Sequence, residues 1–232
     1  MNFSDVFVDS LRYPFTDIKK ILTLFLFFLG SVVIIPGIMA NGYLLRIIEH
    51  TFEGSNELPD FDNKNELLGK GLELIVVNII YSIPAYLLLF YIPSQITILP
   101  SFQSFIVLLV AALVIEFIVN MFLIMGIGNL VFEKKFGAAF AFKRILELIK
   151  KVGWKKYLAY IVVFTIIVEV FSLIVGLLSP FMAFMGMWSL LGTLFITLLF
   201  NTYLFTFGSR FKGLIYPLNA IKAENEDLSN GD

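Results

Sequence analysis

The chain contains no cysteine and a single histidine, His50. Without thiols it cannot form disulfides, thiolate nucleophiles or cysteine-ligated zinc and iron–sulfur centres, and one imidazole cannot build a multi-histidine metal site. The sequence also lacks a P-loop, a G-x-S-x-G elbow and an H-E-x-x-H zinc motif. We therefore predict that the protein is not an enzyme and has no metal, no cofactor and no nucleic-acid partner.

Charge is scarce as well. Charged residues make up 15% of the 232 residues and hydrophobic residues 59%, whereas a soluble domain carries about a quarter charged residues. All 17 Lys and Arg residues lie in four polar segments, 1–20, 43–72, 132–156 and 209–232. Because about 20 apolar residues form a helix that crosses the hydrocarbon core, the long apolar stretches between these segments predict a multi-pass membrane protein.

The predicted fold is an all-α membrane bundle with four full spans, a broken or re-entrant first element and interfacial amphipathic helices. Residues 21–213 form the membrane domain, after an amphipathic lead-in at 1–20 and before an acidic, flexible tail at 214–232. In the lead-in we expect a helix over 4–13, capped by Ser4. The full spans are expected at 72–92, 103–131, 156–178 and 185–209.

The first apolar stretch, 21–45, has Pro36 and Gly37 near its middle. It forms either one kinked span or a short hairpin of two half-length helices. A single span would place the basic residues of segment 1–20 outside the cell, while the connections 43–72, 132–156 and 209–232 remain cytosolic by the positive-inside rule. We favour the hairpin, because it keeps all four polar segments and the C-terminus on the cytosolic side of the cell membrane.

Segment 132–156 carries eight basic residues against two acidic ones. We predict a basic interfacial helix at 138–152, with Phe142, Ile145, Leu146, Ile149 and Val152 on its apolar face. Cations beside an anionic leaflet each contribute about 1 kcal/mol of attraction, which makes membrane lipids an expected partner. The residues expected to contact lipid headgroups are Lys143, Arg144, Lys150, Lys151, Lys155 and Lys156.

Two carboxylates, Glu116 and Glu169, lie deep inside apolar stretches. A charge at the bilayer centre costs roughly 2.5–3.5 kcal/mol, so each requires an explanation. Both fall near mid-membrane, where they can form one polar cluster with Asn120, Thr165 and Asn201. The cluster is either a proton or cation site in a transport path or a set of hydrogen bonds that fixes helix packing.

The connection 49–66 carries six acidic residues. Within it Glu57, Asp60 and Asp62 form a candidate loop for a protein partner or a divalent cation, since carboxylate oxygens suit such ions. The alternative is an acidic loop that only keeps this connection in water. Close helix approach is expected elsewhere, at Gly126, Gly128, Gly186 and Gly192.

Several short motifs together resemble a family of archaeal membrane proteins catalogued as domain-of-unknown-function family four-zero-one-three. They are Tyr13-Pro14-Phe15, Gly42-Tyr43 with Arg46, and Leu58-Pro59-Asp60-Phe61-Asp62. The chain departs from many relatives in having Ile18 where a tryptophan is common. The resemblance covers most of the chain and implies a helical membrane bundle with no known chemistry and no catalytic residues.

The leading function on the sequence is a non-enzymatic integral membrane protein that acts as a scaffold and interacts with lipids or partner proteins at the cytosolic face. The alternative is a small transporter or channel that uses Glu116 and Glu169 as buried carboxylates. The two differ in one structural respect: a transporter requires the two glutamates to line a polar path through the bundle.

Overall fold

The computed structural model describes residues 2–95, 102–183, 186–218 and 221, and every regular element in these ranges is helical. The predicted all-α fold is confirmed. Short 3₁₀ turns lie at Tyr13–Phe15, Gly30–Val33, Phe136–Phe140 and Gly186–Trp188. The helices are α1 (Phe3–Arg12), α2 (Ile18–Leu29), α3 (Ile35–Phe52), α4 (Lys64–Gln95), α5 (Phe102–Glu133), α6 (Phe142–Val152), α7 (Trp154–Ala183) and α8 (Ser189–Ile215).

Four of these helices are long and apolar enough to cross a membrane, as predicted. The qualifying stretches are Lys64–Leu87, Ile106–Glu133, Trp154–Leu178 and Ser189–Ile215. The first of them begins well before the apolar run expected at 72–92. Asn63 starts α4 early, because its carbonyl accepts from the Glu66 and Leu67 amides (3.0 and 3.2 Å) and its side chain donates to Glu66 (2.8 Å).

The first apolar stretch forms two helices, α2 and α3, joined by the Gly30–Val33 turn and by Ile34 in a left-handed conformation (φ 61°). Lys20 at the start of α2 forms an ion pair with Asp60 (2.8 Å), and Arg46 in α3 donates to the Asp60 carbonyl (2.8 Å). The two helices run antiparallel, since α2 contacts Asp60 near its start and α3 contacts the same residue near its end. The start of α2 and the end of α3 therefore lie at the same end of the bundle.

The lead-in helix α1 and the basic helix α6 both begin at residues other than those predicted. Helix α1 starts at Phe3, and the Asn2 amide donates to Asp5 (3.0 Å), so Ser4 is not its cap. Helix α6 starts at Phe142 because the residues before it form a 3₁₀ turn.

The buried face of α6 is rotated from the predicted one. Its buried residues are Ile145, Leu148 and Ile149, while Phe142 and Leu146 are exposed. Leu148 packs in one cluster with residues of α1, α7 and α8. Helical periodicity alone allows two neighbouring apolar stripes on α6. Packing against α5 and α7 selects the stripe that contains Leu148.

Most buried side chains of the long helices lie toward one end of the bundle, which we call the cap. It comprises α1, the loop 53–63, α6 and the helix ends that contact them. Tyr216 at the end of α8 donates to Asn129 of α5 (3.1 Å), and Tyr157 of α7 donates to the Met121 carbonyl (2.5 Å). Farther from the cap, α5 and α7 present exposed apolar residues such as Val110 and Leu173.

Candidate functional site

A cleft of about 400 Å³ runs between α3, α4, α5, α7 and α8. Its polar lining comes from all five of these helices. All five residues predicted as an intramembrane cluster line it. The polar residues are Asn41, Asn78, Glu116, Asn120, Thr165, Glu169, Ser172, Asn201, Ser209 and Lys212.

Helix packing places the two glutamates and Asn201 at similar depth. Glu116 precedes Asn129 by 13 residues, and Tyr203 precedes Tyr216 by 13. Because Tyr216 bonds Asn129 and both helices rise about 1.5 Å per residue toward the cap, Glu116 lies near the level of Tyr203. On α7, the Phe171 ring stacks on Tyr203 (5.3 Å between centroids), so Glu169 reaches a similar level.

Both glutamates are exposed along the cleft, which corrects the expectation of buried carboxylates. The close contact of α5 with α7 is made nearer the cap, where Tyr157 bonds Met121, and the cleft is open beyond it. The described residues contribute neither a hydrogen bond nor an ion pair to Glu116 or Glu169. The buried Thr165 hydroxyl likewise has no protein partner in the described part of the chain, although buried polar groups normally have one.

Lys212 is a cleft residue that the sequence did not predict. Its Nζ lies 3.7 Å from the position that a Cβ on Gly208 would take. The ammonium group therefore points back about one turn along α8, as Cα–Cβ bonds tilt toward a helix N-terminus, and enters the cleft. Among the described residues it forms no ion pair. A basic residue near the end of a span predicts only an interfacial cation, so the inward direction had no signal in the sequence.

Asn41 and Asn78 were also not predicted. Each donates to a carbonyl of its own helix, Gly37 and Leu74 respectively (2.9 Å in both cases). These bonds hold the two amides against α3 and α4, where they line the cleft. The sequence could have indicated both residues, because an asparagine in an apolar helix is as unusual there as at the predicted Asn120. Asn41 was overlooked because α3 was not assigned as a full span.

A second cavity of about 250 Å³, which we call the inner pocket, lies on the cap side. It is lined by Glu49, Glu66, Lys70 and Lys134. Leu45 lines both this inner pocket and the cleft. Its side chain is buried, with 2% of its surface exposed. A thin apolar layer that contains Leu45 thus separates the two polar volumes.

The loop 53–63 is held to the bundle by side chains that donate to its backbone carbonyls. The donors are Tyr13, Lys20, Tyr43, Arg46 and Arg210. The bonds are Tyr13 to Glu57 (2.8 Å), Lys20 to Leu58 (2.7 Å), Tyr43 to Pro59 (2.8 Å), Arg46 to Asp60 (2.8 Å) and Asp62 (2.9 Å), and Arg210 to Ser55 (2.5 Å). Burial raises the pKa of Tyr13 to about 12, which keeps this phenol protonated as a donor.

The three acidic residues predicted as a cation or partner loop do not converge. Asp60 pairs with Lys20 (2.8 Å), and Asp62 pairs with Arg46 (2.5 Å), while Glu57 contributes only backbone contacts. The hydrogen bond and the charge of Lys20 lower the pKa of Asp60. In the described ranges, no group of three or more His, Asp or Glu side chains is placed to hold a metal ion. The hypothesis of a divalent cation in this loop is therefore not supported.

The residues predicted to contact lipid headgroups lie outside the cleft, on α6 and the start of α7. Lys143, Lys150, Lys155 and Lys156 are exposed. Arg144 pairs with Glu147 (3.2 Å), and the Lys156 ammonium lies 5.8 Å from the centre of the Tyr160 ring. Lys151 is partly exposed.

The family described as "Protein of unknown function (DUF4013)" matches residues 25–180. The chain belongs to this family. The matched range of this DUF4013 chain includes Arg46 and the loop it binds, together with Glu116 and Glu169, whereas Lys212 lies beyond it.

An uncharacterized protein of Methanocaldococcus jannaschii, MJ0233, is similar to this DUF4013 protein, with 31% identity over 184 residues. The alignment covers 75% of the chain and 64% of MJ0233, so the chain spans less than two thirds of that relative. No solved structure matches the chain.

Proposed function

We propose that the protein binds a small solute with a cationic group in the cleft and carries it across the membrane. The observation that supports this is the convergence of Glu116 and Glu169 on one cleft among apolar helices. Ionisable residues at this depth are costly and occur mainly where they serve a ligand or an ion pathway. Since the described residues provide neither carboxylate with an ion pair, a bound cation is the partner that offsets the cost.

The cleft offers a cation the appropriate ligands. An ammonium group donates charge-assisted hydrogen bonds to the two carboxylates, and such bonds are about twice as strong as neutral ones. The amide groups of Asn120 and Asn201 line the same cleft and complete the polar shell. Passage toward the cap requires the layer around Leu45 to open, so that the solute reaches the inner pocket; transporters commonly expose a midplane site alternately to the two sides.

A scaffold role explains the cleft less well. A protein that only organises partners needs charged groups at its surface, whereas here the polar side chains of five spanning or half-length helices face one another. The non-enzymatic part of the sequence-based prediction is retained in the proposal. The single histidine, His50, does not line the cleft, and the chain supplies no thiol for nucleophilic chemistry.

The double variant Glu116→Gln/Glu169→Gln tests the proposal. Glutamine keeps the shape and much of the hydrogen bonding but removes the negative charge. In proteoliposomes on a solid-supported membrane, we expect a charge-displacement current on addition of an accepted cation from a panel of Na⁺, K⁺ and alkylammonium ions, and at least a tenfold smaller current in the variant. Glu133→Gln/Glu147→Gln, two carboxylates that do not line the cleft, is the matched control. A wild-type protein that responds to no cation, or equal currents in all three proteins, contradicts the proposal.

We also propose that the cap faces the cytosol. Four lysines are exposed on α6 and the start of α7: Lys143, Lys150, Lys155 and Lys156. Basic residues are enriched on the cytosolic side of membrane proteins, where these lysines would lie among anionic headgroups. Because the chain lacks cysteine, a single cysteine reports its own side of the membrane. An impermeant thiol reagent should label Gln95→Cys in intact cells and Lys143→Cys only after permeabilisation. The reverse pattern contradicts this orientation.

A further inference from the structure

We propose that Lys212 is an anion-binding group at the cap end of the same cleft, so that the solute is a zwitterion. This inference rests on the proposed function and narrows its substrate class. The glutamates hold the ammonium group of the solute, and Lys212 holds its carboxylate or another anionic group.

The position of Lys212 carries the argument. Long cations near the end of a membrane helix normally extend toward the interface, where water hydrates them. Lys212 does the opposite, because its Nζ lies beside Gly208, one turn farther from the cap. Glycine at that position leaves open the space between the ammonium group and the Phe164 ring, which lies 3.5 Å from the site of the missing Cβ.

A second polar side chain, Ser209, lines the same cleft as Lys212. Ser209 is buried, with 2% of its surface exposed. A hydroxyl and an ammonium together can donate to two oxygens of one carboxylate. In the described part of the chain, neither side chain donates to a protein acceptor, so both donors are available to a solute.

The spacing along the cleft fits opposite charges on one small molecule. The Phe164 ring stacks on Phe207 and Phe211 (5.6 and 4.8 Å), and the Phe171 ring stacks on Tyr203 (5.3 Å). Glu169 therefore lies at the level of residue 204 on α8, about four residues from Gly208. At 1.5 Å per residue this is about 6 Å along the axis. A dipeptide or an amino acid with a terminal amine spans such a distance.

The alternative role for Lys212 is a permanent counterion of the glutamates. In that case its removal would strengthen the binding of every cation, because the competing ammonium group would be gone. In the anion-binding role, its removal weakens only solutes that carry an anionic group. Three matched probes separate the two roles: δ-aminovalerate, with both charges, n-pentylamine, with the ammonium alone, and valerate, with the carboxylate alone.

The experiment measures binding of the three radiolabelled probes to the full-length protein in nanodiscs. Wild type should bind δ-aminovalerate at least tenfold more tightly than n-pentylamine. Lys212→Gln should lose this preference and keep its n-pentylamine affinity, Lys212→Arg should restore the preference, and the exposed-site control Lys150→Gln should match wild type. Glu116→Gln/Glu169→Gln should weaken both amines.

Each other result identifies which idea fails. An unchanged preference in Lys212→Gln, or tighter n-pentylamine binding there, overturns the anion-binding role while the cation site stands. A wild-type protein that binds n-pentylamine as tightly as δ-aminovalerate also overturns it. Failure of the wild type to bind either amine overturns the proposed function together with this inference.

Discussion

Replacing Gly42 with alanine should push α3 away from α4 and strongly destabilise the folded protein. A Cβ at this position would lie 1.9 Å from the Leu67 carbonyl oxygen of α4. The crossing is reciprocal, because a Cβ on Gly71 of α4 would lie 1.9 Å from the Ile38 carbonyl oxygen of α3. Backbone atoms cannot rotate away as a side chain does, so the two helices must move apart along their contact.

The expected cost of Gly42→Ala is about 3 kcal/mol or more, at the upper end of what overpacking costs, since α3 lies at the centre of the core. The thermal midpoint in detergent, followed by size-exclusion chromatography, measures it. Gly69→Ala is the matched control on α4, because nothing lies within 4 Å of its added Cβ. It should be neutral or more stable by up to about 1 kcal/mol, as alanine favours helix. Equal midpoints for the two variants would refute the close crossing.

The second large effect is expected for Arg210→Met. Arg210 is 3% exposed and joins the end of α8 to α1 and the loop. Its guanidinium pairs with Asp9 (2.7 Å), donates to the Ser55 carbonyl (2.5 Å) and to Asn56 (2.7 Å), and lies 4.6 Å from the centre of the Tyr13 ring. Methionine fills the volume but leaves these acceptors unpaired.

Removing this buried arginine should cost about 3 kcal/mol, at the lower end of the range for buried pairs, because the carbonyls keep their desolvation cost while the Asp9 carboxylate is 31% exposed. The same unfolding assay measures this loss. Arg144→Met removes an exposed pair with Glu147 and should change stability by less than about 1 kcal/mol. Asp9→Asn in the Arg210→Met background should recover part of the loss, since it removes the unpaired charge. A wild-type midpoint for Arg210→Met would show that the cap does not depend on this arginine.

The sequence predicted the elements of this fold that follow from composition. Long uncharged runs identify spans because lipid excludes unpaired charge, and the same rule singles out Glu116 and Glu169 as residues that require partners. Their common cleft follows from depth counting along straight helices. Polar residues in apolar helices are thus the most informative positions of this chain.

The features that escaped prediction depend on tertiary contacts. Gly42, Gly69 and Gly71 are alike in the sequence, yet two of them lie at a backbone crossing and the third faces open space. Close approach was expected at Gly186, which has a left-handed backbone and open space instead. The inward direction of Lys212 likewise depends on the rotation of α8 about its own axis. Apolar periodicity does not determine that rotation, because α8 is apolar on all sides.

The motifs on which the family resemblance rests have a structural role in this chain. Tyr13, Tyr43 and Arg46 are among the donors that hold the loop, and the Phe61 ring stacks on Tyr43 at 3.9 Å. The role of these residues could not be predicted from the sequence, because their hydrogen-bond partners are backbone carbonyls. Every residue has such a carbonyl, so the partner cannot be identified by its residue type.

The pair between Asp9 and Arg210 joins residues 201 positions apart. A ribosome adds about 5–20 residues per second, so the first helix emerges roughly 10–40 seconds before its arginine partner is made. During that interval Asp9 and the rest of α1 have no partner from α8. This part of the cap therefore cannot close until the end of α8 has been made, which ties the last step of its assembly to the synthesis of α8.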